Sequence, residues 1–456
     1  MRLVVRLLSL MTGMIFFLVA SDSIDADEYL ESQRLKNLQD NLKAGDSGAL
    51  DSFWRTITEQ GTPMVEPDPG DENQKVLTFL WRGNEETNNV ILFSALTTRA
   101  NMGFTAKHLA KSHLAQLAGT DVWYKSFRIR HDARLSYYLS HNDSLLPAAQ
   151  RKSESDWDSL QPDPLNPHQY VLTHEGKDWV RSIIDLPGAQ PVPWVVPGKE
   201  VSKGHVEEHQ IPSAFLENNR RFWIYTPPGY SKENQPYNLL VLFDGWAAVH
   251  MYPTITVLDT LLAAGQIAPT VAVMVGQQDR MLELGCHEPF NEFLVRELIP
   301  WVRENFHVSK NPDETIVGGV SAGGLGAVCA GWKHPEVFGN VISQSGYFSW
   351  DPLEKEAEAN VNLEFEWITR QIAASPKVNI RLVLSVGTLE HDHDFLYSPS
   401  FLQANRHMRD VLVAKGYEFT YMEVAGGHDI YSSALSFPDL MIAMTGHIRK
   451  HSKAQE

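Results

Sequence analysis

Short apolar runs alternate with longer amphipathic stretches through the second half of the chain. The clearest runs lie at residues 238–243, 315–317, 380–386 and 419–424, and the clearest helical stretches at 324–332 and 401–415. Such runs favour buried strands, and strands that alternate with helices are typical of a mainly parallel sheet covered by helices. We therefore predict an α/β domain over residues 201–450.

The first half of the chain has a different pattern. Helical periodicity over residues 27–60 is followed by short strand-like segments separated by Gly, Asn and Asp turns, at residues 76–81, 90–96, 122–130 and 134–139. This predicts a smaller β-rich, sandwich-like domain over residues 27–146. Residues 147–200 are rich in proline and polar side chains, which favours a connector between the two domains.

The beginning of the sequence is typical of a secretory signal peptide. Arg2 and Arg6 precede an apolar stretch at residues 7–20, and small residues follow, so that cleavage after Ser21 or Ala26 fits. We expect residues 1–21 to be removed and the mature protein to be exported, with no membrane insertion after processing. An uncleaved membrane anchor is the alternative.

Composition and charge restrict the class of partner. The chain is 43% hydrophobic, which is typical of a packed globular protein, and its formal net charge of −17 argues against non-specific binding to nucleic acid or to an anionic membrane. The two cysteines, Cys286 and Cys329, are compatible with a disulfide in an exported protein. Because Cys329 falls in a small-residue helix where a buried thiol behaves as a small hydrophobe, we predict free thiols.

A candidate nucleophile lies at the end of the run at residues 315–317. Gly319-Val320-Ser321-Ala322-Gly323 separates that strand from the helix at 324–332. In the α/β-hydrolase fold this context forms a sharp turn that exposes the serine and aims the first helical amides at an oxyanion. Ser321 is therefore the predicted nucleophile of an α/β-hydrolase catalytic domain.

A nucleophilic serine needs a histidine and an acid, which follow it along the chain in this fold. Glu390 lies just after the strand at 380–386, and His428 lies in Gly426-Gly427-His428-Asp429 after the strand at 419–424. We predict His428 as the base and Glu390 as the acid, with Asp392 and Asp394 as alternatives. The pair His391 and His393 is a weak signal for a metal site, and we predict no bound metal.

The oxyanion needs a second backbone donor from the loop after an early strand. The strand at 238–243 runs into Asp244-Gly245-Trp246. We expect the donors to be the amides of Ala322 and of Gly245 or Trp246.

With these residues in place, the chain resembles the enterochelin esterases, which hydrolyse the serine trilactone of catecholate siderophores. In the catalytic half the likeness rests on residues 242–246, 279–286, 321–325, 343–346 and 426–429. In the first half it rests on residues 61–63, 65–67, 78–83, 121–124, 134–137 and 163–167. The resemblance covers most of the chain and implies that Ser321, His428 and Glu390 are catalytic.

The resemblance also implies how substrate is held. Arg280 is expected to face the catecholate oxygens of an anionic ferric complex, and Trp246 or Trp81 to stack on its rings. Glu283 is a further candidate substrate contact. The alternative is that Arg280 forms an ion pair with Glu283 and does not face the substrate. No cofactor is expected, because iron enters only as part of the substrate.

Three features differ from the family. His287 stands where asparagine is expected, the segment after Glu390 is unusually rich in His and Asp, and the signal-like start implies work in the periplasm rather than the cytoplasm. Two other functions stay open at this point. One is a general exported carboxylesterase acting on another acyl or aryl ester, and the other is a siderophore-binding protein that does not hydrolyse its ligand.

Overall fold

The computed structural model describes residues 30–97, 111–146, 151, 159–174, 177–196, 198, 201–352, 365–391 and 398–452. The first described elements are two helices, α1 (Gln33–Lys43) and α2 (Ala49–Gln60). The side chain of Ser32 accepts a hydrogen bond from the Leu35 amide and caps α1. These helices confirm the helical periodicity predicted for this part of the sequence.

Two antiparallel sheets follow the helices. Their strands are β1 (Met64–Pro67), β2 (Gln74–Arg82), β3 (Val90–Ser94), β4 (Ala115–Gln116), β5 (Val122–Arg130), β6 (Arg134–His141), β7 (Leu160–Gln161), β8 (Gln169–His174) and β9 (Lys177–Asp185). One sheet has the order β1-β2-β5-β4, and the other has the order β3-β6-β9-β8 with β7 paired to β6. Phe79 of the first sheet and Leu92, Leu135 and Tyr137 of the second share one buried core. The smaller domain is therefore a β-sandwich, as predicted.

The predicted connector at residues 147–200 is wrong in its central part. Residues 160–185 contain β7, β8 and β9, which complete the second sheet of the sandwich. The prolines that suggested a linker, Pro162, Pro164 and Pro167, lie in the turn region between β7 and β8. Proline is compatible with strand ends and turns, so its frequency did not exclude strands here.

The larger domain is built on one sheet of eight strands. They are β10 (His205–Ser213), β11 (Asn218–Thr226), β12 (Asn238–Leu242), β13 (Thr270–Val275), β14 (Thr315–Val320), β15 (Asn340–Gln344), β16 (Arg381–Gly387) and β17 (Glu418–Val424). The order is β10-β11-β13-β12-β14-β15-β16-β17, with β10 and β11 antiparallel and the strands from β13 onward parallel. This confirms the α/β domain.

Helices cover both faces of this sheet. They are α3 (Gly245–His250), α4 (Thr254–Ala263), α5 (Arg280–Leu284), α6 (Glu288–Phe293), α7 (Ile299–Asn305), α8 (Ala322–Lys333), α9 (Trp367–Ala374), α10 (Phe401–Ala414) and α11 (Ile430–Ser452). A π-helical turn at Leu294–Leu298 joins α6 to α7, and short 3-10 turns occur at Pro193–Val195 and Pro312–Glu314. Leu239 and Val241 face one buried core, whereas Leu240 and Leu242 of the same strand face the other. Burial on both faces explains the continuous apolar runs.

Within the described residues, none of the helices is both long and apolar enough to cross a bilayer. The predicted signal segment at 1–21 lies outside those residues.

The prediction of free thiols is wrong, because Cys286 and Cys329 form a disulfide with a Cα–Cα distance of 5.6 Å. Cys286 follows α5, and Cys329 lies on α8, the helix that begins after Ser321. Both cysteines are buried. Burial of Cys329 on a small-residue helix is compatible with either state, so it did not decide between them.

We expect reduction of this disulfide to lower the free energy of unfolding by about 2–5 kcal/mol, because the unfolded chain regains the freedom of the loop that the bond closes. Thermal unfolding with and without a phosphine reductant measures the loss, and a thiol count verifies reduction. A Cys286→Ala/Cys329→Ala variant is the control, because its midpoint should not respond to the reductant. An unchanged wild-type midpoint after full reduction would contradict a stabilising role.

Candidate active site

Ser321 lies in a strained turn between β14 and α8. Its φ of 61° and ψ of −120° are rare for a residue other than glycine. A Cβ added to Gly319 would lie 2.6 Å from the carbonyl carbon of Gly323, so the turn requires glycine at position 319. The amide of Ser321 donates to the carbonyl of Gln344 at 2.9 Å, which fixes the turn to the end of β15. The sequence Gly-Val-Ser-Ala-Gly thus forms the predicted strand–turn–helix.

His428 and Glu390 are joined by a hydrogen bond. They lie on the loops after β17 and β16, which are neighbours in the sheet, and His428 Nδ1 lies 2.7 Å from Glu390 Oε2. Their side chains are 12% and 2% exposed. A carboxylate accepts a hydrogen bond, so Nδ1 carries the proton and Nε2 is left with its lone pair. The imidazole is therefore in the tautomer that a general base requires.

Two further donors hold the carboxylate of Glu390. Its Oε1 accepts from the Ser345 hydroxyl at 2.5 Å and from the Gly387 amide at 2.7 Å. With His428 on Oε2, the group is hydrogen-bonded on both oxygens. Ser345 was not singled out by the sequence reasoning as a site residue. Its position just after β15, at the same edge of the sheet, is the signal that identifies it.

A chain of contacts joins the nucleophile's turn to the histidine. The amide of Tyr347 donates to the carbonyl of Ser321 at 3.0 Å. The Tyr347 ring stacks on Phe401 with centroids 5.1 Å apart, and Phe401 meets the His428 ring edge-on at 4.6 Å. The carboxyl ends of β14, β16 and β17 thus bring Ser321, Glu390 and His428 to one edge of the sheet. Asp392 and Asp394, the alternative acids, lie outside the described residues.

The expected oxyanion donors lie at the same edge. Ala322 is the first residue of α8, and Gly245 and Trp246 are the first two of α3, which follows β12. Strands β12 and β14 are adjacent in the sheet. A Cβ at Gly245 would lie 2.5 Å from the carbonyl oxygen of Met274, so only glycine fits there. The first amides of a helix have no partner within it, which leaves them able to bind an oxyanion.

Arg280 does not pair with Glu283, which corrects the alternative drawn from the sequence. Its Nε and Nη2 donate to the two oxygens of Asp244 at 2.6 and 2.7 Å, and Nη2 also lies 3.3 Å from the Val320 carbonyl. This bidentate pair fixes Arg280 beside the nucleophile's turn. The side chain is 40% exposed and remains accessible from solvent.

Glu283 is instead paired with Arg220 beneath the surface. The two side chains are 7% and 1% exposed, and Glu283 also accepts from the amides of Gln278 and Asp279. Glu283 therefore supports the loop before Arg280, and the expected direct contact with substrate is not supported by its burial.

A cleft of about 500 Å³ lies next to these residues. Its lining includes Arg220, Arg221, Trp223, Asp244, Gly245, Trp246, Gln277, Gln278 and Arg280. It combines indole rings and guanidinium groups, which suits an aromatic, anionic ligand. Arg280 and Trp246, two of the predicted substrate contacts, thus line the same cleft.

Of the two histidines that give the weak metal signal, His391 lies within the described residues and His393 lies outside them. In the ranges that the structure describes, there is no group of three or more His, Cys, Asp or Glu side chains placed to hold a metal ion.

Two protein families match this chain. The family described as putative esterase matches residues 213–447, and the N-terminal family of enterochelin esterases matches residues 76–195. The iron(III) enterobactin esterase of Escherichia coli O6:H1 is 30% identical over 371 residues, which cover 77% of this chain and 87% of that protein. This chain belongs to the enterochelin esterase family. It is a carboxylic ester hydrolase.

Other members of the enterochelin esterase family are similar to this chain over most of its length. The iron(III) enterobactin esterase of Dickeya dadantii is 29% identical over 83% of this chain and 89% of its own length. The solved ferric enterobactin esterase of Salmonella typhimurium has a TM-score of 0.67 at 25% identity and covers 87% of this chain and 99% of its own. The Shigella flexneri enterobactin esterase, solved in the presence of enterobactin, has a TM-score of 0.63 at 26% identity, over 85% and 97% of the two chains.

The domain that marks the enterochelin esterases contacts Trp246, one of the residues that line the cleft. Trp179 of β9 is 42% exposed, and its ring centroid lies 6.2 Å from that of Trp246. The sequence gives no local signal for Trp179, because its proline-rich surroundings favour a connector. Trp81, the other candidate for stacking, instead stacks on His141 at 5.1 Å and packs against the sandwich core.

Proposed function

We propose that this enterochelin esterase cleaves the trilactone ester bonds of ferric enterobactin or of a related catecholate siderophore, with Ser321 as the nucleophile. The observation that carries the proposal is the 2.7 Å hydrogen bond between His428 Nδ1 and Glu390 Oε2, at the sheet edge where Ser321 follows β14. The relatives named for enterobactin support the choice of substrate.

In the first step, Ser321 Oγ attacks a lactone carbonyl while His428 Nε2 accepts its proton. The resulting imidazolium keeps its Nδ1–H bond to Glu390, whose negative charge stabilises it. When the tetrahedral intermediate collapses, the ester C–O bond breaks and His428 returns the proton to the leaving hydroxyl. The ring opens, and the linear chain stays attached to Ser321 as an acyl-enzyme.

Water completes the reaction. His428 removes a proton from a water molecule that attacks the acyl carbon, and the proton then passes to Ser321 Oγ as the acid is released. The amides of Ala322 and of Gly245 or Trp246 are the proposed donors to the oxyanion in both steps. Because these amides belong to helix starts fixed by the sheet, they need little reorganisation.

Substrate recognition is assigned to the cleft beside the nucleophile. Trp246 and Trp179 offer ring faces to a catechol, and Arg280, oriented by Asp244, offers a charge-assisted donor to its oxygens. Opening the trilactone removes the scaffold that holds the catechols around one Fe(III), which weakens iron binding by the product. The iron is substrate in this proposal and not a cofactor.

We also propose that the protein works in the periplasm. The disulfide between Cys286 and Cys329 supports this, because disulfides persist in oxidising compartments and are rare in the cytosol. Cell fractionation tests the location. Recovery of the protein in the cytoplasm with both cysteines reduced would refute it.

The relative rates on two substrates test the proposed function. We expect kcat/KM for ferric enterobactin to exceed that for a simple aryl acetate by roughly 100-fold or more, because binding of the distant catechol arms also lowers the barrier. A comparable or higher value for the simple ester would indicate a general carboxylesterase. Tight binding of the ferric complex without turnover would indicate a binding protein.

Replacing Trp246 with alanine should raise KM for ferric enterobactin roughly 3- to 10-fold, because one stacking surface is lost while the backbone amide stays. Steady-state kinetics measure the change. Trp246→Phe is the conservative variant and should retain most of the affinity, and KM for a small acetate should not move. An equal rise in KM for both substrates would contradict a role in ring recognition.

A further inference from the structure

The loop that carries His428 is attached to the β-sandwich domain on both sides of the histidine. Before it, the carbonyl of Ala425 accepts from the Arg134 amide at 2.8 Å. After it, the Ser432 hydroxyl lies 3.0 Å from the Arg134 carbonyl. Arg134 begins β6, so one strand of the sandwich contacts both flanks of the base.

Asp429, the residue next to His428, makes the central contact. Its Oδ1 accepts from the Ser136 hydroxyl at 2.9 Å and lies 3.3 Å from the Ser136 amide. The same carboxylate also accepts from the amides of Tyr431 and Ser432 at 3.0 and 3.1 Å. Asp429 is only 5% exposed. Hydrogen bonds to a buried carboxylate are strong, so this group ties the start of α11 to β6.

Packing adds to the attachment. A Cβ at Gly427 would lie 2.1 Å from Cβ of Ala95, which means that the loop and the sandwich are in close contact just before His428. Leu389, next to the acid Glu390, and Ala425 both pack against the sandwich core. Gly427, next to the base, and Leu389, next to the acid, thus pack against the smaller domain.

We propose that the sandwich domain is a positioning element for catalysis, and that Ser136 and Asp429 are positioning residues that act through His428. The chain is an ester hydrolase, and the inference rests on the proposed role of His428 as its general base. Neither residue touches substrate in this account. The hydrogen bond between them fixes where the His428 loop lies relative to Ser321.

The chain offers a matched pair of variants. Ser136 and Ser140 both lie on β6, are 3% and 0% exposed, and donate through their hydroxyls to a buried aspartate. The acceptor of Ser136 is Asp429 of the catalytic domain, whereas Ser140 donates to Asp143 of its own domain at 2.7 Å. Replacing either with alanine removes one buried hydroxyl, but only Ser136→Ala loosens the His428 loop.

The test measures how fast a fluorophosphonate probe labels Ser321, because labelling needs the base but no particular ester. We expect Ser136→Ala to lower the maximal labelling rate roughly 10- to 100-fold with an unchanged half-saturating concentration, since small displacements of a catalytic group have large effects. Ser140→Ala should stay within about twofold of the wild-type labelling rate, because the Ser140 hydroxyl donates to Asp143 of its own domain and not to the His428 loop. Thermal unfolding midpoints verify that both variants fold.

The outcomes separate this inference from the proposed function. Equal labelling of the two variants, or a fall that follows the loss of stability in both, would overturn the positioning role while leaving the mechanism intact. If wild-type protein were not labelled at Ser321 at all, the proposed nucleophile itself would be refuted.

Discussion

Replacing Ser321 or His428 with alanine should each lower kcat for ester hydrolysis by about 10⁴- to 10⁶-fold, because nucleophile and base act as one unit. Without Ser321 Oγ no acyl-enzyme forms, and without His428 the hydroxyl keeps its proton. The double variant should be no slower than either single variant. Initial rates with ferric enterobactin, measured at high enzyme concentration, give these values.

Ser343→Ala is the matched control for Ser321→Ala. Ser343 lies on the adjacent strand β15, is fully buried, and its hydroxyl has no hydrogen-bond partner within the described part of the chain. Its loss should leave kcat within about twofold of wild type, as expected where no interaction is removed. Independent, additive losses from the Ser321 and His428 variants would contradict a shared catalytic unit.

Replacing Glu390 with glutamine should lower kcat by about 10³- to 10⁴-fold with little change in KM. The carboxylate accepts from His428 on one oxygen and from Ser345 and Gly387 on the other. An amide has only one acceptor oxygen, and because the backbone N–H of Gly387 can only donate, that oxygen stays beside Gly387 and the NH₂ group faces His428. The imidazole then loses the bond that keeps the proton on Nδ1. Steady-state kinetics separate this effect on kcat from an effect on binding.

Asp392 and Asp394, which follow Glu390 in the sequence, supply the control for Glu390. Asp392→Asn and Asp394→Asn should keep kcat within about twofold of wild type, because Glu390 already fills the position beside Nδ1. Near-normal activity of Glu390→Gln together with a large loss in one aspartate variant would transfer the role of the acid to that aspartate.

The parts of this molecule that sequence predicts well are those with local signals. The apolar run and glycines around Ser321 indicate a strand, a turn and a helix in consecutive residues, and the structure has β14, the turn and α8 there. Glu390 and His428 are predicted to lie together because each follows a strand, and parallel strands end at the same edge of a sheet.

The features missed depend on partners distant in the chain. The disulfide joins residues 43 positions apart, and the partner of Arg280 is Asp244 rather than the nearby Glu283. Strands β7 and β9 pair with β6, and β8 pairs with β9, across a proline-rich stretch whose local composition suggested a linker. Trp179 lies on β9, so its position beside Trp246 was not predicted either. Periodicity reports which face is buried but not which distant segment covers it.

The most direct test follows the products of ferric enterobactin by mass-resolved chromatography, with wild-type protein beside Ser321→Ala. We predict that the wild type converts the cyclic trilactone to linear trimer and then to dimer and monomer of dihydroxybenzoylserine, and that the variant leaves it intact. Two results would contradict a serine-dependent siderophore esterase. One is trilactone that stays intact with the wild-type protein, and the other is the same linear products from both proteins.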